Sequence, residues 1–592
     1  MPEKKTRGAQ PRKRTSTLKH APRGETAPAV TLPPTAPRVT QINEAESTNG
    51  NSTMFEEMVA VMFGSAAALA RAQQANLDAS TRTFELMTNA YARLWGISTP
   101  EALPADKRFA NDAWTKNPGF DMLKQAYLSN SRWLLDLAEG FKEIDPALYH
   151  RARFYTKQFT DALSPTNFPL TNPVVIEETV RTGGANLVRG AQNLFSDALE
   201  GKIRKVPDNA FVLGKDIAVT PGKVVYRNKL IELIQYTPAT PKVHAVPILV
   251  MAPWINKYYV LDLRPKNSMI KYLVDSGFTV FAISWKNPDS SLRDLTWEDY
   301  MSLGALDAAR VIKAITGTAR VNMVGYCVGG VLLETVVAYW AAKGDLTANT
   351  ATYLAVHQDF DNVGDLACFI SPPEVTFLEW LMSASGGYLD GKNMGTTFDL
   401  LRANDLLWAY VVNNYMLGKD PPAFDILSWN ADHTRVPETM HSYYLRNFFL
   451  AKKLTKPNGL TLLGEGIDLK KITTPSFVLA MAEDHIVPWK SAFKMRELVS
   501  GPLRFTLAES GHIAGVINPP EAKARGYWCE ECETDDPDEW LNNCSQKRAG
   551  SWWPDWTAWL EKQSDKQVPP PPTGNAEFPP LIDAPGSYVL EV

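Results

Sequence analysis

The feature that most constrains the fold of this chain is a glycine-flanked cysteine between a strand and a helix. The apolar run Val321–Val324 predicts a buried β-strand, and Val331–Trp340 is typical of a buried helix. Between them lies GYCVGG, residues 325–330. A residue at so sharp a turn has a strained backbone, and side chains on its neighbours would collide with the strand or helix. The segment therefore predicts a nucleophile at Cys327.

Short apolar runs alternate with helical stretches from about residue 211 onward. The first two runs read as a β-hairpin, and the later ones as buried strands of a mostly parallel sheet with helices on both faces. The predicted strands are Lys223–Tyr226, Leu230–Tyr236, Val246–Met251, Thr279–Ser284, Ser476–Ala482 and Arg504–Leu507.

Two further polar residues follow predicted strands, where α/β enzymes place functional groups. Asp484 comes after the strand at 476–482, and His512 comes after the strand at 504–507. With Cys327 they give the chain order nucleophile, acid, histidine, which is the order of α/β-hydrolases. We expect His512 to take the thiol proton, while Asp484 either orients His512 or acts as a base on a bound hydroxyl.

Other residues are candidates for supporting this site. The backbone N–H of Val328 should face a developing oxyanion, and the Trp254 or Ile255 backbone, after the strand at 246–251, should supply the second donor. His485, beside Asp484, is either structural or supporting, and Trp429 is a further supporting candidate.

A cysteine nucleophile favours acyl transfer over hydrolysis. A thiolate that attacks a thioester produces another thioester of nearly equal energy, so the acyl group stays activated for a second transfer. A serine ester would be a poorer acyl donor.

Length and composition suggest how the rest of the chain is divided. Its 592 residues exceed one ordinary domain, and 45% apolar with 21% charged residues excludes disorder for most of the chain. We predict a disordered basic tail (1–50), an all-helical N-terminal domain (51–210), a core in two pieces (211–349 and 446–565) around an aromatic-rich cap (350–445), and a proline-rich tail (566–592).

Several classes of function are disfavoured. A net charge of −4 argues against a specific nucleic-acid binder, although the basic tail could touch an anionic partner. We find no apolar run of membrane-spanning length and no secretory signal, and five cysteines indicate a reducing cytosol. Cys529 and Cys532, with Cys544, make only half a zinc site, so no metal is expected, and Cys368 reads as a core residue.

Separated sequence blocks make the chain resemble the polyhydroxyalkanoate synthases, specifically the single-subunit class I type. The resemblance runs from about residue 85 to the end. Besides the segment at 325–330, it rests on APWINKYY at 252–259, SWKNP at 284–288, PPAFD at 421–425, EDH at 483–485 and SGH at 510–512. The chain departs from this family mainly in its basic N-terminal extension and in the region around Cys529.

The resemblance implies polymerisation of (R)-3-hydroxyacyl-CoA, commonly 3-hydroxybutyryl-CoA, into a polyester with release of CoA. It carries catalytic roles over to Cys327, Asp484 and His512, on an α/β-hydrolase core with a cap. CoA is then a leaving group, and no resident cofactor is expected. The family also implies a homodimer on cytoplasmic polymer granules, with granule-surface proteins as further partners.

Two other functions stay open from the residues. One is a thioesterase or polyester depolymerase of the same fold, and the other is a non-catalytic granule-binding scaffold. The residues also leave open whether Asp484 or His512 deprotonates the substrate hydroxyl.

Overall fold

A computed structural model of the chain describes residues 73–81, 83, 88, 106–142, 144–529, 534–543, 546–564 and 566–592. The predicted basic tail, residues 1–50, lies outside the described residues, as do Cys532 and Cys544. The described residues all fall within one unit, Met58–Val592.

The apolar runs of the core form a large sheet, which has eleven strands among the described residues. In chain order the strands are β1 Gly222–Arg227, β2 Ile231–Tyr236, β3 Ile248–Met251, β4 Val280–Trp285, β5 Val321–Tyr326, β6 Ala348–Leu354, β7 Ser476–Met481, β8 Leu503–Ala508, β9 Gly526–Cys529, β10 Lys547–Ala549 and β11 Ile582–Asp583. Across the sheet the order is β10-β9-β8-β7-β6-β5-β3-β4-β2-β1-β11, and β4, β3, β5, β6, β7 and β8 run parallel.

Residues of the central strands alternate between two hydrophobic cores, one on each face of the sheet. Along β3, Leu249 and Met251 belong to one core, whereas Ile248 and Val250 belong to the other. Helices cover both faces, as expected for a parallel sheet. These helices are Met269–Asp275, the continuous run Trp297–Asp299, Tyr300–Leu306 (a π-helix) and Asp307–Thr316, then Val328–Lys343, Trp489–Phe493, Met495–Leu498, Pro537–Asn543 and Trp553–Lys562.

The predicted fold class, an α/β-hydrolase core with a cap and helical N-terminal residues, is confirmed. The hairpin of β1 and β2 is antiparallel, and the other predicted strands are present. One boundary needs correction, because β6 was not predicted and the predicted cap range, 350–445, starts inside it. β6 carries the polar residues Asn349, Thr350 and Thr352, which hide its apolar pattern, and Asn322 of β5 accepts hydrogen bonds from two of them.

The N-terminal helices start at signals that are visible in the sequence. Three begin with Asn-Pro or Asp-Pro, where the first residue caps the helix and proline fits the first turn. Asn117, Asp145 and Asn172 each accept a backbone N–H of the first turn. The described N-terminal helices are residues 73–81, Ala113–Lys116, Pro118–Glu139, Pro146–Ala162, Pro173–Thr182 and Ala185–Glu200.

The segment between β6 and β7 forms the cap, and the N-terminal helices brace it. The Gln158 side chain donates to the carbonyl of Leu400 at 3.0 Å, and the Asn186 side chain donates to that of Met416 at 2.8 Å. The helices of this segment are Pro372–Ala384, Gly391–Leu401, Asp425–Asn430 and Glu438–Tyr444, with π-helical turns at Asn404–Trp408, Val411–Met416 and Leu445–Leu450. Two small antiparallel pairs join Tyr388–Leu389 to Val436–Pro437 and Leu460–Leu462 to Glu465–Ile467.

The proline-rich C-terminal segment returns to the core. Gln567–Val568 pairs with Val243–His244, and β11 pairs with β1. The buried carboxylate of Glu232 accepts the N–H of Ser587 at 2.8 Å. The buried Lys257 ammonium donates to the carbonyl of Val589 at 3.1 Å and also to that of Glu591. The last residues are thus tied to the loop that follows β3.

Candidate active site

Cys327 stands at the turn between β5 and the helix Val328–Lys343. Its φ of 51° and ψ of −128° are strained for a residue with a side chain. Its N–H donates to the carbonyl of Leu354 at 3.0 Å, and its carbonyl accepts the N–H of Gly330 at 2.8 Å. These contacts on both neighbouring elements hold the strained conformation in place.

Three positions of the turn require glycine because there is no room for a side chain. A Cβ on Gly325 would lie 2.5 Å from the Cα of Gly330. A Cβ on Gly329 would lie 2.5 Å from the carbonyl oxygen of Met251, and one on Gly330 would lie 2.2 Å from Val356. The turn can therefore form only where these positions lack side chains.

Gly325→Ala should lower the free energy of unfolding by about 1–3 kcal/mol, because backbone atoms have to move to admit the methyl group. The measurement is urea unfolding of both proteins. Gly511→Ala is the control, since its Cβ would meet Glu483 at an ordinary 3.6 Å. Equal stability of the two variants would contradict the steric account.

His512 and Asp484 form a buried pair beside Cys327. His512 Nδ1 donates to Asp484 Oδ2 at 2.7 Å, while Asp484 Oδ1 accepts the N–H groups of Ile486 at 2.8 Å and Val487 at 2.9 Å. Burial alone would lower the pKa of His512, but Asp484 and Cys327 outweigh it and raise that pKa to about 10. Burial alone would raise the pKa of Asp484, yet His512 and the two N–H groups lower it. A cationic imidazole beside the sulfur is therefore the stable state at neutral pH.

Both residues predicted to donate to the oxyanion, Val328 and Ile255, line the cavity that Cys327 also lines. Val328 begins a helix, so its N–H has no partner inside that helix. The loop that carries Ile255 is held from the cap, because the Thr434 hydroxyl donates to the carbonyl of Trp254 at 2.5 Å. Trp429, a predicted supporting residue, donates to the carbonyl of Lys257 at 2.7 Å, so it braces this loop without lining the cavity.

The cavity beside Cys327 has a volume of about 380 Å³. Its lining is mainly apolar and comes from the core, from the cap and from the N-terminal helix Pro146–Ala162, which contributes Tyr155. Cap residues in the lining include Phe369, Leu378, Met394, Phe398 and Tyr444. An apolar pocket with a few polar groups is typical of a small-molecule site.

Two histidines of this cavity were not predicted from the sequence, His357 after β6 and His441 in the helix Glu438–Tyr444. His485, which was predicted, is next to Asp484 but does not line the cavity. Because β6 was not recognised, nothing in the sequence reading placed His357 at the edge where Asp484 and His512 lie.

The remaining cysteines have other surroundings. Cys529 Sγ accepts the Arg504 Nε–H at 3.1 Å and lies 3.5 Å from a carboxylate oxygen of Asp555. Cys368 is buried and lines the cavity wall. Among the described residues no cluster of three or more His, Cys, Asp or Glu could hold a metal ion.

Two buried histidines and two partly buried ones should make the protein acid-sensitive. Burial lowers their pKa values to about 4, below the unfolded value of about 6.5, so their contribution to stability is present above pH 6.5 and is lost as the pH falls. At pH 5 each of them should lower the free energy of unfolding by about 2 kcal/mol relative to pH 7. His512 has a raised pKa, so it should increase the free energy of unfolding over the same interval, but by less than about 1 kcal/mol. The four are His357, His433, His441 and His485.

Urea unfolding at pH 7 and pH 5 measures this loss. His441→Gln should reduce it by about 2 kcal/mol relative to the parent. An unchanged difference between the two pH values would contradict the assignment of His441 as a buried neutral group. His150 should contribute little to the difference in unfolding free energy between the two pH values, because its ion pair with Asp365 is partly exposed and screened by solvent.

The strand order, the strained cysteine and the buried aspartate–histidine pair define an α/β-hydrolase-fold protein with cysteine in the nucleophile position. Residues 105–273 match the family described as "Poly-beta-hydroxybutyrate polymerase (PhaC) N-terminus". The chain belongs to the poly(3-hydroxyalkanoate) polymerase family, because its identity to members of that family reaches 44% over 88% of its length.

Relatives match over most of the chain. It is 44% identical to the "Poly(3-hydroxyalkanoate) polymerase" of Methylorubrum extorquens, over 88% of this chain and 87% of the relative. It is 42% identical to the "Poly(3-hydroxyalkanoate) polymerase subunit PhaC" of Rhizobium meliloti (86% and 83%) and 41% identical to that of Cupriavidus necator (82% and 83%). In the described part of the chain, the helices are too short or too polar to cross a membrane.

Proposed function

We propose that the chain polymerises (R)-3-hydroxyacyl-CoA, probed here as 3-hydroxybutyryl-CoA, into a polyester and releases CoA through a thioester on Cys327. The observation that carries the proposal is a strained cysteine at an apolar cavity, backed by a buried ion pair of His512 and Asp484. The names of the relatives, poly(3-hydroxyalkanoate) polymerases, support the same reaction.

In the first step the Cys327 thiolate attacks the carbonyl of acyl-CoA. The N–H groups of Val328 and Ile255 stabilise the oxyanion. The bond between the carbonyl carbon and the CoA sulfur breaks, and the leaving thiolate takes the proton of the His512 imidazolium. The products are acyl-Cys327, free CoA and a neutral His512.

Acylation prepares His512 for the second step. Cys327 is one of the groups that raise the pKa of His512, and the thioester carries no charge. The pKa of His512 therefore falls when the sulfur is acylated, and its neutral ring becomes available as a base.

In the second step the 3-hydroxyl of another acyl unit attacks a thioester. Its oxygen bonds to the carbonyl carbon of acyl-Cys327, the bond between that carbon and the Cys327 sulfur breaks to return the thiolate, and the proton of the hydroxyl passes to His512. We assign this role to His512 because the carboxylate oxygens of Asp484 are occupied by His512, Ile486 and Val487. The Asp484 side chain is fully buried behind His512, whereas the His512 side chain keeps an exposed fraction of 5%.

The apolar cap supports transfer rather than hydrolysis. Residues such as Phe369 and Tyr444 cover the cavity and limit the access of water to the acyl-enzyme. The cap also has to move to admit acyl-CoA and release polymer. The proposal includes no resident cofactor, since CoA enters as part of the substrate, and it extends to a homodimer on cytoplasmic polymer granules, as the family resemblance implies.

The test is incubation of the full chain with (R)-3-hydroxybutyryl-CoA, measuring CoA with a thiol reagent and polymer after solvent extraction. We expect polymer to account for most of the CoA released. Free 3-hydroxybutyrate without polymer would indicate the thioesterase or depolymerase. No CoA release at all would indicate the non-catalytic scaffold.

A further inference from the structure

The oxyanion donor at Ile255 lies in a stretch of chain that no strand or helix holds in place. β3 ends at Met251, and the next helical turn begins at Tyr258. Trp254 and Ile255 both line the cavity that Cys327 lines. A donor stabilises an oxyanion only from about 2.7–3.1 Å, so contacts outside the sheet have to fix the direction of this N–H.

Two backbone N–H groups on the wall of this cavity lack a backbone partner. No carbonyl of the described residues accepts the N–H of Ile255. The N–H of Val328, in the first turn of its helix, has no such partner either. Because backbone donors inside a protein are normally paired, two unpaired N–H groups beside one nucleophile indicate that an oxygen of the ligand is their acceptor.

Thr434 fixes the peptide group that carries one of these donors. It belongs to the cap, it is 2% exposed, and its hydroxyl donates to the carbonyl of Trp254 at 2.5 Å. That carbonyl and the N–H of Ile255 belong to the same peptide group, which is trans and planar, so they point in opposite directions. The hydrogen bond that holds the carbonyl therefore also fixes the direction of the N–H.

The same cap segment also holds the peptide group on the other side of Ile255. The N–H of Thr434 donates to the carbonyl of Ile255 at 3.4 Å, and His433 pairs with Asn256 in an isolated β-bridge. The hydroxyl contact is much the shorter of the two hydrogen bonds that Thr434 makes. The hydroxyl is thus the group whose loss should most disturb the direction of the Ile255 N–H.

We propose that Thr434 is a positioning residue for acyl transfer, whose hydroxyl aims the N–H of Ile255 at the oxygen that becomes an oxyanion when Cys327 attacks. The inference rests on the proposed function, because it concerns the oxyanion of the acylation step. Thr434 acts through the carbonyl of Trp254. Its effect should be largest in the transition state, since the carbonyl oxygen of the bound substrate carries little charge.

The experiment compares a reaction of Cys327 that forms an oxyanion with one that does not. Thr434→Val removes the hydroxyl and nearly keeps the shape. Butyryl-CoA, which lacks the 3-hydroxyl, can acylate Cys327 only once. The rate of this burst of CoA should fall about 100-fold, whereas the butyryl-CoA concentration at half-maximal rate should change by less than about twofold. Alkylation of Cys327 by iodoacetamide passes through no oxyanion, so it should keep the parent rate.

Two further variants are matched to this one. Thr434→Ser keeps the hydroxyl, so it should recover acylation to within about threefold of the parent. Thr557→Val removes another buried hydroxyl, which donates to the carbonyl of Trp553 at 3.1 Å in the helix Trp553–Lys562. It should acylate at the parent rate, because that hydroxyl makes no contact with the loop after β3.

Three outcomes would overturn the inference: acylation of Thr434→Val at the parent rate, alkylation that slows in step with acylation, or no recovery with serine. If the valine variant fails to fold, Thr434→Ala tests the same contact through the same ratio of acylation to alkylation. A thioesterase would also acylate Cys327, so the test does not depend on polymer. A parent that releases CoA without forming polymer would refute the proposed function, which is a separate result.

Discussion

Cys327→Ser should lower CoA release from (R)-3-hydroxybutyryl-CoA by at least about 1,000-fold, the scale seen when a nucleophile is removed from a catalytic triad. Serine fits the space of cysteine at the strained turn, so the fold should persist. A hydroxyl is far harder to ionise than a thiol, so the variant loses the ready anionic nucleophile that attacks the thioester.

Intact-protein mass after mixing with butyryl-CoA reports the acyl group directly. The parent should gain one butyryl mass, and Cys327→Ser should gain none. Cys529→Ser is the matched control, because Cys529 contacts Arg504 and does not line the cavity, so it should acylate normally. If Cys327→Ser gained a butyryl mass, or if Cys529→Ser failed to gain one, the nucleophile would be a residue other than Cys327.

Much of the core could be predicted because its signals are local. The hairpin of β1 and β2 and the buried strands around 248–251, 280–285 and 476–481 are apolar runs of ordinary strand length. The turn at Cys327 could be predicted because its glycines are a local pattern, and the structure shows that they are needed where the chain makes close contacts. The contact of Asp484 with His512 followed from their places after parallel strands, since adjacent parallel strands end at one edge.

The features that sequence reasoning missed depend on distant partners. Asn349 and Thr350 of β6 donate to Asn322 on the neighbouring strand, and Thr352 accepts from the Trp556 indole at 3.1 Å, and neither partner is visible locally. With β6 unrecognised, His357 could not be assigned to the active edge. Lys257 donates hydrogen bonds to the carbonyls of Val589 and Glu591, which lie more than 300 positions away in the sequence. No short-range pattern could indicate these contacts.

Asp484→Asn should lower both acylation and polymer formation by about 10³–10⁴-fold, although the side chain hardly changes in shape. The N–H groups of Ile486 and Val487 require an oxygen on one side of the residue, so the amide NH₂ is forced to face His512 Nδ1. His512 must then carry its proton on the other nitrogen, and it can no longer accept one from Cys327.

The same substitution removes the charge that raises the pKa of His512, so burial should lower that pKa. The imidazolium beside the Cys327 sulfur is then lost, and alkylation of Cys327 by iodoacetamide should slow in parallel with acylation. Butyryl-CoA separates the two roles that the sequence left open for Asp484. If Asp484 served only as the base on the 3-hydroxyl, Asp484→Asn would still acylate and alkylate at the parent rate while forming no polymer; slow acylation instead assigns Asp484 to the orientation and charge of His512.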